Sequence, residues 1–267
     1  TEDKDTNILL YREVCTHKSE NIVHGEGVAA SCEKGGKREY WFCSGCETYF
    51  ADEDLTQTMQ FVDTYIPAPA HTAGCGHTPS TGRFKLDLEG GASSSNESGT
   101  RFLLLGKAGD KYYAMGNVTN ADGSRNAVEV TLDINGVVET TSDQAEFLTF
   151  DYDNGLFSYL VDGQVLAFDG GKVFTYDKSE NNSTDALSRP ASFVGTDYES
   201  GQGYMYAYDY LDTRNEYLNF DAENLCFKVS RERQDNLIIF RELCPHNSLQ
   251  YVPAKNPTCT EQGYTTY

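Results

Sequence analysis

The chain has 267 residues, 41 acidic against 21 basic, for a formal net charge of −20. That balance repels phosphate backbones and anionic lipid surfaces, which argues against a nucleic-acid partner or membrane docking, and no apolar run approaches the ~20 residues that cross a bilayer. Eighteen tyrosines and 14 phenylalanines against one tryptophan, punctuated by Asn-Gly and Asp-Gly pairs, predict a mainly β protein.

The first stretch is repeated near the end. Residues 7 to 17 read Asn-Ile-Leu-Leu-Tyr-Arg-Glu-Val-Cys-Thr-His, and 236 to 246 read Asn-Leu-Ile-Ile-Phe-Arg-Glu-Leu-Cys-Pro-His. Arg12, Cys15 and His17 recur as Arg241, Cys244 and His246, each 229 residues on. After a short gap Cys32 aligns with Cys259 and Tyr40 with Tyr267. A period that long points to an array of domains, because solenoid repeats run about 20–50 residues. Residues 1–14 are therefore expected to be the last strand of a preceding repeat. Residues 15–66 form a small Cys/His zinc-binding module and 67–99 a linker with one strand near Phe84–Leu88. Residues 100–243 form a β domain, and 244–267 the start of a second zinc module.

Within 100–243, short alternating runs bounded by turn residues read as strands. They fall into three sets of four: Arg101–Leu105, Lys111–Met115, Ala127–Leu132 and Glu146–Phe150; then Leu156–Leu160, Gln164–Phe168, Val173–Tyr176 and Ala191–Val194; then Tyr204–Tyr208, Glu216–Phe220, Leu225–Val229 and Asn236–Phe240. Second strands align at Tyr112, Val165 and Tyr217, and fourth strands at Phe147, Phe193 and Ile238. Three similar units predict a β-trefoil-like domain of twelve strands, whose closure removes exposed edges. A β-sandwich is the alternative architecture.

The Cys/His module carries the chemistry. Cys32, Cys43 and Cys46 run C-x10-C-x2-C, and two cysteines two apart can turn both thiolates onto one ion. His17 is expected as the fourth ligand, with Cys15 as its alternative; His24 is weaker, because the second copy has Tyr251 near its place. Four Cys/His ligands close the coordination sphere, so the zinc would be structural. Disulfides and free thiols are the competing readings.

The pattern Glu-Tyr-Trp-Phe-Cys-Ser-Gly-Cys-Glu-Thr-Tyr-Phe-Ala-Asp around the CxxC, with its upstream C-x-H, resembles a small repeat of large surface proteins from Gram-positive gut bacteria. Residues 251–263 look like the opening of the same module, and Gly109–Asn117 is similar to β domains of such proteins. The resemblance implies an exported, wall-associated location and tandem copies in the parent chain. It names no ligand.

Other candidates are weaker. Asp110, Asp162 and Asp212 occupy matching turns before each second strand, where trefoil lectins can hold sugar-binding groups, and Tyr112, Tyr206 and Tyr208 are candidate ring platforms. The competing reading is that Asp simply suits tight turns, and the ricin-type Gln-x-Trp signature is absent. Asp151-Tyr-Asp153-Asn154-Gly155 resembles a calcium loop but lacks the downstream Glu, so a hairpin turn is expected. Cys75 and His77 repeat C-x-H with no CxxC after them, Cys226 reads as a strand residue, and Cys244, His246 and Cys259 lack a partner CxxC. The five histidines, at 17, 24, 71, 77 and 246, all lie outside the β domain, which removes histidine-dependent catalysis there. The sequence thus predicts a non-enzymatic cell-surface repeat that binds a host or dietary glycan or a surface protein. The alternative is a stalk-like spacer, and a third reading is an accessory domain of a secreted glycan-active enzyme.

Overall fold

The computed structural model describes residues 15–31, 34–67, 79–91, 98–153, 156–180, 190–209 and 214–243. The expected strand at 7–12 and the second zinc module at 244–267 lie outside them. The described chain is almost entirely antiparallel β, with short 3-10 turns at Ser19–Asn21, Phe61–Thr64 and Lys178–Glu180.

Six short strands make up the Cys/His part: β1 (Ile22–Gly25), β2 (Gly36–Lys37), β3 (Tyr40–Cys43), β4 (Thr48–Phe50), β5 (Thr58–Met59) and β6 (Tyr65–Ile66). The order β1-β3-β4-β5 forms one sheet, and β2 pairs with β6 in a separate ribbon. Next comes β7 (Thr81–Leu86), inside the stretch expected to be a linker. The larger part then runs β8 (Arg101–Ala108), β9 (Lys111–Thr119), β10 (Arg125–Val130), β11 (Val137–Thr141), β12 (Phe147–Asp153), β13 (Leu156–Val161), β14 (Gln164–Asp169), β15 (Lys172–Tyr176), β16 (Ser192–Asp197), β17 (Gln202–Asp209), β18 (Arg214–Asp221), β19 (Cys226–Ser230) and β20 (Leu237–Glu242).

Strands β20, β17, β18, β19, β10, β9 and β8 close a seven-membered ring, sealed where Phe102–Gly106 pair with Leu237–Arg241. Outer strands extend it. β7 pairs with β20 and β11 with β7, β12 through β15 follow one another from β8, and β16 pairs with β17. Closure leaves no open edge within the ring, the hazard that a row of short strands otherwise carries.

Why the ring strands are so apolar follows from what covers them. On β8, Phe102 and Leu104 point into the main core, while Leu103 and Leu105 point into a second cluster with Phe84 and Val138 from β7 and β11. A strand covered on both faces loses the usual polar alternation, and all four residues are fully buried. The main core is built from inward pairs two apart: Phe102/Leu104, Tyr113/Met115, Leu148/Phe150, Leu166/Phe168, Leu218/Phe220 and Leu237/Ile239.

One alignment from the sequence was off by a residue. Phe147 and Ile238 face the second cluster, whereas Phe193 packs against the main core. Strand side chains alternate, so a one-residue slip exchanges faces; the inward residues of β12 and β20 are their neighbours Leu148 and Ile239.

The Cys/His part is packed onto the β14–β15 hairpin rather than tethered beside it. Val62 and Tyr65 share a buried cluster with Val165, Ala167, Phe174 and Tyr176, and Phe61 packs against it. Rings run in contact from the small sheet to the hairpin: Phe42–Tyr49 at 4.6 Å, Tyr49–Phe61 at 5.4 Å, Phe61–Tyr65 at 5.3 Å and Tyr65–Phe174 at 5.0 Å between centroids. Around this seam Gly35 N donates to Gln164 Oε1 at 2.8 Å, Lys34 reaches Asp177 at 2.6 Å and Lys172 reaches Asp63 at 2.5 Å. Gly35 is required by closeness: a Cβ there would sit 2.9 Å from the Ile66 carbonyl oxygen.

Candidate metal centre

Two chain segments converge on one point. Cys43 ends β3 and Cys46 sits in the turn to β4, so the hairpin itself brings the CxxC thiols together. The turn is tied to the Ser19–Asn21 segment, because Ser44 N and Ser44 Oγ both donate to the Asn21 carbonyl, at 2.9 and 3.2 Å. That tie places the chain just before it, with Cys15 and His17, over the hairpin. His17 adopts a left-handed backbone with φ 45°, a conformation uncommon for a residue with a Cβ. Its ring stands edge-on to Phe50, 5.1 Å between centroids.

The ligand atoms of Cys15, His17, Cys43 and Cys46 all lie within 4.8 Å of one another. Cys15 Sγ and Cys43 Sγ are 3.7 Å apart, as are Cys46 Sγ and His17 Nδ1. Sulfurs bound at about 2.3 Å to one tetrahedral ion are separated by about 3.8 Å, and a nitrogen lies slightly closer. The donor set therefore fits a four-coordinate metal ion. Cys43 is fully buried and the other three are partly so, which shields the cluster without sealing it.

Electrostatics favours the thiolate form of one of these cysteines. The His17 imidazole is the largest influence on Cys43, joined by the backbone N–H groups of Cys46 and Gly45, and together they bring its pKa down to about 6. Cys15 is shifted the other way: the His17 backbone N–H pulls it down, but desolvation and the neighbouring thiols of Cys43 and Cys46 outweigh that and raise it.

The structure brings together three of the expected residues, His17, Cys43 and Cys46. The fourth member of the described cluster is Cys15, the residue ranked as the alternative, and it stands beside His17 rather than in place of it. Cys32 lies outside the described residues. The signal for both Cys15 and His17 was the C-x-H kept as a unit in the second copy. His24 is elsewhere: exposed on β1, stacked on Trp41 at 4.9 Å and bonded to Glu39 at 2.9 Å. Cys75, His77, Cys244, His246 and Cys259 also lie outside the described residues. Cys226 is buried on β19, and desolvation raises its pKa.

Of the turn aspartates, the two among the described residues sit in separate hairpin turns. Asp110 is exposed in the β8–β9 turn. The Tyr112 ring lies under the Lys107 ammonium, 5.2 Å from its centroid, and packs against the second cluster. Asp162 takes a left-handed backbone with φ 48°, followed by Gly163 at φ 80°, the turn that a tight antiparallel hairpin needs. Asp212 lies outside the described residues. Asp151 and Asp153 both hold Lys178, Asp153 at 3.1 Å, so a lysine occupies the calcium-like sequence. The conformation of Asp162 carries a prediction: in urea unfolding Asp162→Ala is less stable than Asp162→Gly by about 1 kcal/mol, because both lose the Asp side chain but only Ala places a Cβ at positive φ.

No protein family, curated protein or solved structure matches this chain.

Proposed function

We propose that the chain is a repeat unit of an exported surface protein of a Gram-positive gut bacterium. In this reading it acts as an adhesion module for a glycan or protein and is stabilised by a structural zinc ion at Cys15, His17, Cys43 and Cys46. The observation that carries the metal assignment is the closed cluster of three thiols and one imidazole, all ligand atoms within 4.8 Å. Zinc favours such soft and borderline donors, and four protein ligands leave no position for a substrate. The ion would organise a sheet of strands only two to four residues long, too small to stand on its apolar core alone.

The finer fold reading is a β-trefoil. Its support is the pairing β20–β8, β8–β12, β12–β13, β16–β17 and β17–β20, with β13 approaching β16, which traces six barrel strands. The hairpins β9–β10, β14–β15 and β18–β19 then stand as three caps, one for each four-strand unit.

A spacer that projects other domains is the second reading, favoured by the buried seam that joins the Cys/His part to the β14–β15 hairpin. Elemental analysis of the purified chain tests the shared core of both. One zinc per chain, with a thiolate charge-transfer band on cobalt replacement, is the expected result. Stoichiometric absence of metal from protein purified under reducing conditions, with zinc supplied, would sink the assignment.

A further inference from the structure

The second strands of the three units present outward residues beside their inward pairs: Tyr112 and Ala114 on β9, Val165 and Ala167 on β14, Tyr217 and Asn219 on β18. The first face is sealed by β7 and β11, and the second by the Cys/His part. At both, the outward positions are aliphatic or aromatic and mostly buried.

The third face is built differently. Tyr204 and Tyr206 alternate outward on β17, and Tyr206 pairs across to Tyr217 on β18. The three rings stay part-exposed, with centroids 5.9 to 6.5 Å apart. Asn215 Nδ2 donates to Tyr217 Oη at 3.2 Å. The Arg233 guanidinium stacks 3.9 Å from the Tyr204 centroid, and Asp235 neutralises it through contacts of 2.6 and 2.7 Å. In a chain of net charge −20, this patch is rings, hydroxyls and amides, and its stacked Arg233 is paired with Asp235.

We infer that the outer face of β17 and β18, centred on Tyr204, Tyr206 and Tyr217, binds a neutral saccharide; this rests on the adhesion reading above. Rings with hydroxyl tips offer an apolar plane for sugar C–H faces and polar rims for sugar hydroxyls. The acidic field of the chain repels an anionic ligand, and the three rings present no carboxylate to fix a cation, so the patch itself selects by ring face and hydroxyl rather than by charge. An aliphatic protein segment would be better served by a surface like the other two faces, where Ala114, Val165 and Ala167 supply most of the outward positions.

Titration calorimetry of the whole chain against cello-, xylo-, manno- and malto-hexaose, with oligogalacturonate as anionic comparator, tests this. Binding of a neutral probe is expected, about tenfold weaker in Tyr206→Ala and in Tyr217→Ala and retained in Tyr206→Phe, since the ring face supplies most of the contact. In the unsubstituted chain, the NMR shifts induced by the bound probe should centre on the ring protons of these tyrosines, a readout independent of any variant's folding. A neutral probe bound equally well by the double Ala variant, with shifts elsewhere, overturns the face while leaving adhesion standing. Selective capture of oligogalacturonate overturns the neutral-ligand assignment. Silence of the unsubstituted chain toward every probe overturns both the face and the glycan-binding reading.

Discussion

Stripping the metal with a chelator is expected to unfold the sheet β1-β3-β4-β5 while leaving the seven-stranded ring folded. Structural zinc contributes roughly 10–16 kcal/mol of apparent binding free energy in small modules, far beyond what strands of this length recover by burial. The ring draws on its own core from Phe102 to Ile239 and has no need of the ion. Amide hydrogen exchange separates the two: Tyr40–Cys43 and Thr48–Phe50 should lose protection on chelation, and Phe102–Leu105 should keep it. Unchanged protection of β3 in metal-free protein would refute a structural role. Cys43→Ser should reproduce the chelated state, since it removes the fully buried ligand.

The same centre should respond to acid in a defined direction. Protons compete with the ion for each thiolate, so affinity falls as pH falls. In the metal-free protein Cys43 titrates at about 6 rather than at the usual 9.0, with His17 the main cause. A lowered folded-state pKa contributes stability that is complete above the ordinary thiol value and is lost as pH falls through about 6. Cys15 is shifted upward, so near neutral pH it should give up a proton when metal binds, whereas Cys43 already has. Metal titration in weak buffer at pH 7 should therefore acidify the solution, and metal release should steepen below pH 6. A pH-independent metal affinity between 5 and 8 would contradict this.

Phe174→Ala should be the most damaging substitution at the seam. Phe174 is 4% exposed, touches both Phe61 and Tyr65, and packs with Val165 and Tyr176. Truncating such a phenylalanine costs about 3–5 kcal/mol, the lost transfer energy plus the cavity. Because the ring sits between the two parts, the loss should appear as uncoupling as well as destabilisation. One unfolding transition in the parent chain should split into two, and small-angle scattering should show a longer maximum dimension. A single unshifted transition would mean that the seam contributes little to holding the parts together. The ion pairs Lys34–Asp177 and Lys172–Asp63 are partly exposed and should not compensate, since surface pairs contribute about 0–1 kcal/mol.

Much of this was legible in the chain. Each of the twelve strand segments read between Arg101 and Phe240 overlaps an observed strand, because period-two alternation and Gly-bearing turns are local signals. β11 was missed, since Gly-Val-Val-Glu-Thr-Thr is short and finds its partner β7 some fifty residues upstream. That His17, Cys43 and Cys46 belong to one cluster was legible because a CxxC and a repeated C-x-H mark candidate donors by spacing, while Cys32, read as the other donor, lies outside the described residues.

Sequence by itself determined the β class, the positions of twelve strands between Arg101 and Phe240, and the Cys and His candidates for a metal, signals carried by short stretches of chain. The tertiary structure decided that Cys15 joins His17 in one cluster, because the Asn21–Ser44 contact carries that segment over the hairpin. It likewise decided that the Cys/His part is docked on β14–β15, since apolar burial there is a property of two surfaces meeting and neither sequence segment specifies its partner. It decided which outward faces are covered for the same reason: Val165 and Tyr217 hold equivalent places in their strands, yet one is sealed under Tyr65 and its neighbours while the other remains partly open to solvent.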